Sequence, residues 1–110
     1  MRTQRIVHNA ALRERVRLLL AHDPEVRAGV MFGCPAFFLG RRMLACVYGD
    51  EVGVKLPSPR VEKLLLEAGI TPFQPYGKKN MRQWVALPNG DGDVVEGLLR
   101  EAVAFAREHA

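Results

Sequence analysis

The stretch VMFGCPAFFLGRRMLACVYGDEVGVKLP, residues 30 to 57, decides the fold. Two apolar runs meet at Gly40-Arg41, and a third begins after Gly49-Asp50. Short glycine-containing turns between apolar runs of this length predict a three-stranded antiparallel meander. In the third run Val52, Val54 and Leu56 alternate with Gly53 and Lys55, which gives one buried face and one partly wet face. The first two runs are apolar at both parities. Such strands need helices on both sides or a surface that meets another subunit, and a homodimer is the expectation drawn from them.

Helical patterns flank this meander. Upstream, AALRERVRLLLA at residues 10 to 21 places Leu12, Val16, Leu19 and Leu20 on one face, with Asn9 at the N-cap. The connector HDPEVRAG leads into the meander. Downstream, SPRVEKLLLEAG carries Ser58 at the N-cap, Pro59 in the first turn and Gly69 as the stop, with Val61, Leu64, Leu65 and Ala68 as its core stripe. A loop over residues 70 to 80 precedes MRQWVALP, a fourth strand that Pro88 ends. After the turn-rich NGDGD, Asp93 caps a last helix whose Val95, Leu98, Leu99, Ala102 and Ala106 share a face. The reading is a single α+β domain over residues 1 to 110, in the order α-β-β-β-α-β-α, with a mainly antiparallel sheet and packed helices. There are no internal repeats and no linker divides the chain.

Composition sets bounds on function. The 110 residues carry 16 Lys and Arg, 12 of them Arg, against 12 Asp and Glu, for a formal charge of +4 that permits attraction to polyanions without requiring it. With 48% hydrophobic and 25% charged residues, this is the balance of a folded globular chain and not of a disordered one. No apolar run approaches the roughly 20 residues that span a bilayer, and Arg and Glu thread the N-terminal leucines, so neither an anchor nor a secretory signal is expected. The Arg-rich start imitates a transit peptide, but the same residues complete a folding helix. The expectation is a cytoplasmic protein without membrane contact.

Few residues offer chemistry. Cys34 and Cys46 sit in apolar strands and read as buried, reduced thiols; they are equidistant from Gly40, so a pair facing across a hairpin is the alternative. His8, His22 and His109 are isolated in sequence, no Cys or His pair has zinc spacing, and no phosphate loop is present. Ser58, the one serine, is explained as a helix cap, and Asp50-Glu51 as a solvated turn. These observations point away from an enzyme, and no cofactor is expected.

The remaining cluster is PFQPYGKKNMRQWVALP, residues 72 to 88. Phe73 and Trp84 read as core aromatics, because aromatic side chains bury the largest apolar area available to a small domain. Tyr76, Lys78, Lys79 and Arg82 are left for the surface, and Arg41 and Arg42 in the hairpin extend the same basic patch. A solvated loop, an acidic protein partner and a phosphate-contacting site with Tyr76 or Trp84 stacked on a base are the three readings of this group.

Several elements, taken in order, resemble the N-terminal domain of the TfoX/Sxy family. They are Met31-Phe32-Gly33, Gly40 before Arg42-Met43-Leu44-Ala45, Val54-Lys55-Leu56, Ala68-Gly69 followed by Pro72-Phe73, Trp84-Val85 ahead of Pro88, and the helix LLREAVAFA. The resemblance runs from about residue 10 to 107. The MmcQ/YjbR-like group, with its lysine-rich approach to a Trp-containing strand, is similar too. The TfoX/Sxy resemblance implies a regulator or adaptor acting through protein contacts, in a family whose competence regulators carry an additional C-terminal helical domain. It implies no catalytic residues and no cofactor. Binding of nucleic acid through Arg41, Arg42, Lys78, Lys79 and Arg82 is the alternative from another functional class.

Overall fold

A computed structural model describes residues 9–77, 81–88 and 92–108. The order read from the sequence stands, with two added strands. Helix α1 (Ala10–Leu20) leads to β1 (Val26–Met31), β2 (Cys34–Leu39), β3 (Arg42–Tyr48) and β4 (Glu51–Lys55). Helix α2 (Ser58–Leu64), the two-residue β5 (Thr71–Pro72), a short 3-10 turn (Pro75–Gly77), β6 (Trp84–Pro88) and α3 (Gly92–Glu108) follow. All strands join one antiparallel sheet in the order β1-β2-β3-β4-β6-β5. No helix among the described residues is long and apolar enough to cross a membrane.

The first added strand lies where a connector was expected. Residues 26 to 31 contain a glycine and an arginine and lack strict alternation, which hid β1; its partner is the apolar β2, in the register Val26↔Leu39 to Met31↔Cys34. Phe32 and Gly33, expected to open a strand, form instead the two-residue turn between β1 and β2, both at positive φ (58° and 72°). That geometry matches the right-handed twist of a hairpin and normally selects Asn or Gly at both places.

The helices pack on one face. Leu12, Val16 and Leu20 of α1 and Val95, Leu98, Leu99, Ala102 and Ala106 of α3 bury against Leu44, Val47, Val52, Val54, Val85 and Leu87 of the sheet. A register shift opposite Phe37 and Phe38 places the consecutive Leu44 and Ala45 together in this core. Full burial of each Val or Leu side chain contributes about 1.5–3 kcal/mol, so this layer dominates the apolar stabilisation.

Caps and ion pairs trim the ends. The Asn9 side chain accepts from the Leu12 N–H (3.0 Å), its own N–H donates to the Gly49 carbonyl (2.9 Å) and its amide donates to Asp50 (3.1 Å), so one residue both caps α1 and fixes it to the β3–β4 turn. Helix α2 departs from expectation. Its N-cap is Pro57, without a side-chain cap bond, and Ser58 is already helical because the Pro57 carbonyl accepts from the Arg60 and Val61 N–H groups. The helix ends at Leu64, and the chain then turns outward through Gly69 (φ 84°), which leaves Leu65 and Ala68 exposed, contrary to the expected stripe. Helix α3 starts at Gly92, so Asp93 lies inside its first turn, where its charge favours the helix dipole. Arg60 forms a two-pronged pair with Glu101 (2.8 and 3.0 Å) that joins α2 to α3, and Arg107 pairs with Asp23 and Glu25 at the start of β1.

Candidate functional site

Among the described residues, the other face of the sheet carries no α-helix. Its centre is a row of small residues running straight across the strands by register: Gly29, Ala36, Cys46, Gly53, Ala86 and Thr71. Aromatic rings fill the space that small side chains leave. A Cβ at Gly53 would stand 2.9–3.0 Å from three ring carbons of Phe73, and one at Gly29 would stand 2.9 Å from a ring carbon of Phe38. Both are closer than carbon atoms pack, so glycine is what lets each ring lie on the backbone.

Phe73 comes from the segment after β5 that folds back over the sheet. It is fully buried, tilted against Trp84 (5.4 Å between centroids) and edge-on to Tyr48 (5.8 Å). Pro75 is buried behind it, and Tyr76 then adopts φ 54°, a left-handed conformation that costs a non-glycine residue about 1–3 kcal/mol. Two hydrogen bonds hold it there. The Tyr76 N–H donates to the Tyr48 hydroxyl (2.7 Å), and the Tyr76 hydroxyl donates to the Phe32 carbonyl (2.6 Å) in the strained β1–β2 turn. The Cys34 thiol approaches the same carbonyl at 3.5 Å.

Around this sealed centre lies a rim that is only partly buried: Met31, Phe38, Met43, Tyr48 and Met81. The Arg27 guanidinium sits over the Phe38 ring at 5.0 Å and donates to the Gly40 carbonyl (3.0 Å).

The thiols are quiet. Cys34 and Cys46 are free and buried, as read from the sequence, but Cys34 pairs with Met31 and Cys46 with Ala36, so they do not face each other across the hairpin. Burial pushes the Cys46 thiol up to about 12, with Cys34 and Glu51 adding to the effect, and burial also raises Cys34. Neither is a thiolate near neutral pH, and the thiolate is the nucleophile. Tyr76 is raised first by desolvation and then by Cys34 and Tyr48. Of the acidic turn, Asp50 is exposed as expected, whereas Glu51 is half-buried and burial raises its carboxyl.

The basic-aromatic group divides. Strand register brings Arg41 and Arg42, Lys55 at the end of β4, and Arg82 just before β6 to one end of the sheet, all at or near the surface. Tyr76 is 54% exposed but reaches the opposite end, where the β1–β2 turn and Tyr48 lie. Trp84, 7% exposed, keeps its ring in the core and offers no face for a base to stack on. Lys78 and Lys79 lie outside the described residues, as do His8 and His109. Among the described residues no three His, Cys, Asp or Glu side chains gather as metal ligands would.

Two grooves flank the helices. One of about 320 Å³ between α1 and α3 has an apolar floor of Leu19, Leu99 and Val103 under His22, Glu96 and Arg100; another of about 500 Å³ runs along β1. Comparison with models of protein families, with curated proteins and with solved structures finds no match to this chain. Its function therefore has to be argued from the faces themselves.

The rim was only half legible beforehand. That β2 and β3 are apolar on both faces was visible, but the small-residue row needs the register of all six strands, and the left-handed Tyr76 leaves no mark in the sequence.

Proposed function

We propose that the chain is a regulatory or adaptor domain, of the kind found at the N-terminus of TfoX/Sxy proteins, that acts by binding a protein partner through the helix-free face. The observation that carries this reading is the rim of Met31, Phe38, Met43, Tyr48 and Met81, left partly open around a closed centre. Methionine and aromatic side chains give adaptable contact area with little ordering cost, which suits recognition. On this face the thiols are held protonated and both tyrosine hydroxyls are committed to backbone groups.

Charge narrows the partner. One end of the sheet is basic, with Arg41, Arg42, Lys55 and Arg82 at the surface beside the rim, so the partner that fits has an apolar patch flanked by acidic side chains. The test places a photo-crosslinking residue at position 43 in cells, identifies the linked protein, and measures its binding to the purified chain. Binding lost in Met43→Glu and kept in Leu66→Glu, whose site is 87% exposed just beyond the end of α2, supports the reading. A linked protein that binds Met43→Glu as well as the parent chain contradicts it.

The same basic end favours a second reading, in which it contacts nucleic-acid phosphates. Such binding weakens steeply as salt rises, whereas association through apolar area does not. Titration with duplex and single-stranded DNA and RNA at two salt concentrations, with Arg41→Ala, Arg42→Ala and Arg82→Ala, separates the two.

A further inference from the structure

The two edges of the sheet are unequal. The β5 edge is two residues long and includes Pro72, which has no N–H to offer. The β1 edge is six residues long, free of proline, and among the described residues pairs with β2 alone. Its one charge is turned away, since the Arg27 guanidinium is held over Phe38 and on the Gly40 carbonyl. Natural edges are usually blunted by charge, proline or bulges, and β1 has none of these devices in use.

We propose that two copies of the chain pair through β1, antiparallel, about a two-fold axis at Ala28. Three features fit a second copy. First, the two-residue turn closes on the Met31↔Cys34 pair, so Gly29 and Arg27 also bond to β2, while alternate residues Val26, Ala28 and Val30 turn their amide groups outward. The Val26 N–H accordingly donates to the Asp23 carbonyl (3.1 Å) and not to β2, which leaves Ala28 and Val30 as the free donors. Second, the outward residues Val, Ala, Val read the same in both directions. Pairing Ala28 with its own copy sets Val26 against Val30 twice, which covers the 70% exposed Val30 and closes the strand side of the groove that Ala28, Val30 and Phe37 line together with Arg13, Glu14 and Arg17 of α1. Third, on the opposite face each Arg27 stands opposite Gly29 of the second copy, so no like charges stand opposite each other.

Because the other edge is blocked, the pairing closes at two chains instead of running on into a fibre. The pairing uses the sheet edge and stands apart from the adaptor reading, which uses the helix-free face.

The test is sedimentation velocity of the full chain over a concentration series, beside Val30→Lys and Ala28→Cys, with circular dichroism to show that both variants fold. The parent chain should form a dimer, Val30→Lys should lose it, and Ala28→Cys should give a disulfide-linked dimer under mild oxidant while a control Leu66→Cys does not. The native thiols are buried and do not confuse the readout. A parent chain that stays monomeric throughout overturns the proposal, and if it then pairs β1 with an added strand-forming peptide, the edge serves a foreign strand. A dimer that survives Val30→Lys, with Ala28→Cys unlinked, places the interface elsewhere and overturns it too.

Discussion

The two faces of the sheet are made from the same strands, yet they are closed in different ways. On the helix side, Leu and Val from α1 and α3 interlock with Leu and Val from the strands, and size meets size. On the other side the strands offer Ala36, Cys46, Gly53 and Ala86, and closure comes from rings laid on that shallow floor: Phe73 and Trp84 over β4 and β6, Phe38 over Gly29. The first arrangement covers the strands of that face with helices. The second stops short of the edge and leaves a rim of methionine and aromatic side chains half in water. Apolar character alone therefore does not say which face is core; the volume opposite each residue does.

The contrast breaks first where packing is tightest. Leu99→Ala removes a side chain wedged between α3 and the sheet, and chemical denaturation should show a loss of about 2–5 kcal/mol, the range for such cavities. Gly53→Val on the opposite face should cost about 1–3 kcal/mol by overpacking, because the added carbons meet the Phe73 ring below 3.0 Å. The near-UV aromatic signal should change with it. A Gly53→Val chain as stable as the parent would mean that Phe73 does not rest on the floor.

The buried thiol sharpens the comparison through pH. Since Cys46 is raised from 9.0 to about 12, the folded state holds its proton where the unfolded chain releases it. Stability is therefore unaffected by this group below pH 9 and falls as pH rises from 9 toward 12, by about 1.4 kcal/mol per pH unit. Cys46→Ala should flatten that slope, measured by denaturation at pH 8, 9 and 10. A smaller effect belongs to Tyr76→Phe, which deletes the hydroxyl that ties the segment after β5 to the Phe32 carbonyl. The expected loss of stability is smaller than for either packing variant, because the bond is solvent-exposed, with faster amide exchange in the β1–β2 turn.

Much of the architecture could be read from the chain. The α1 and α3 stripes, the Asn9 cap, the meander and the burial of Phe73 and Trp84 follow from periodicity and turn chemistry, which act over a few residues. What escaped depends on distant partners. Strand β1 owes its extended form to β2 more than to its own sequence, Ser58 lost its capping role to the Pro57 carbonyl, and Leu65 and Ala68 continue the α2 stripe in sequence after the helix has ended. The candidate surface was legible as strands apolar on both sides. Its division into a floor and a rim, and the separation of Tyr76 from Arg41, Arg42 and Arg82 to opposite ends of the sheet, required registers that no local pattern encodes.

The claim that the helix-free face is a contact surface is tested most directly by hydroxyl-radical footprinting of Met43 and Phe38, in the purified chain and inside cells, with the exposed Leu66 as the internal reference. The account predicts labelling of Met43 and Phe38 in the purified chain and their protection, relative to Leu66, in cells. Equal labelling in both settings would mean that nothing covers the face, and would contradict the account.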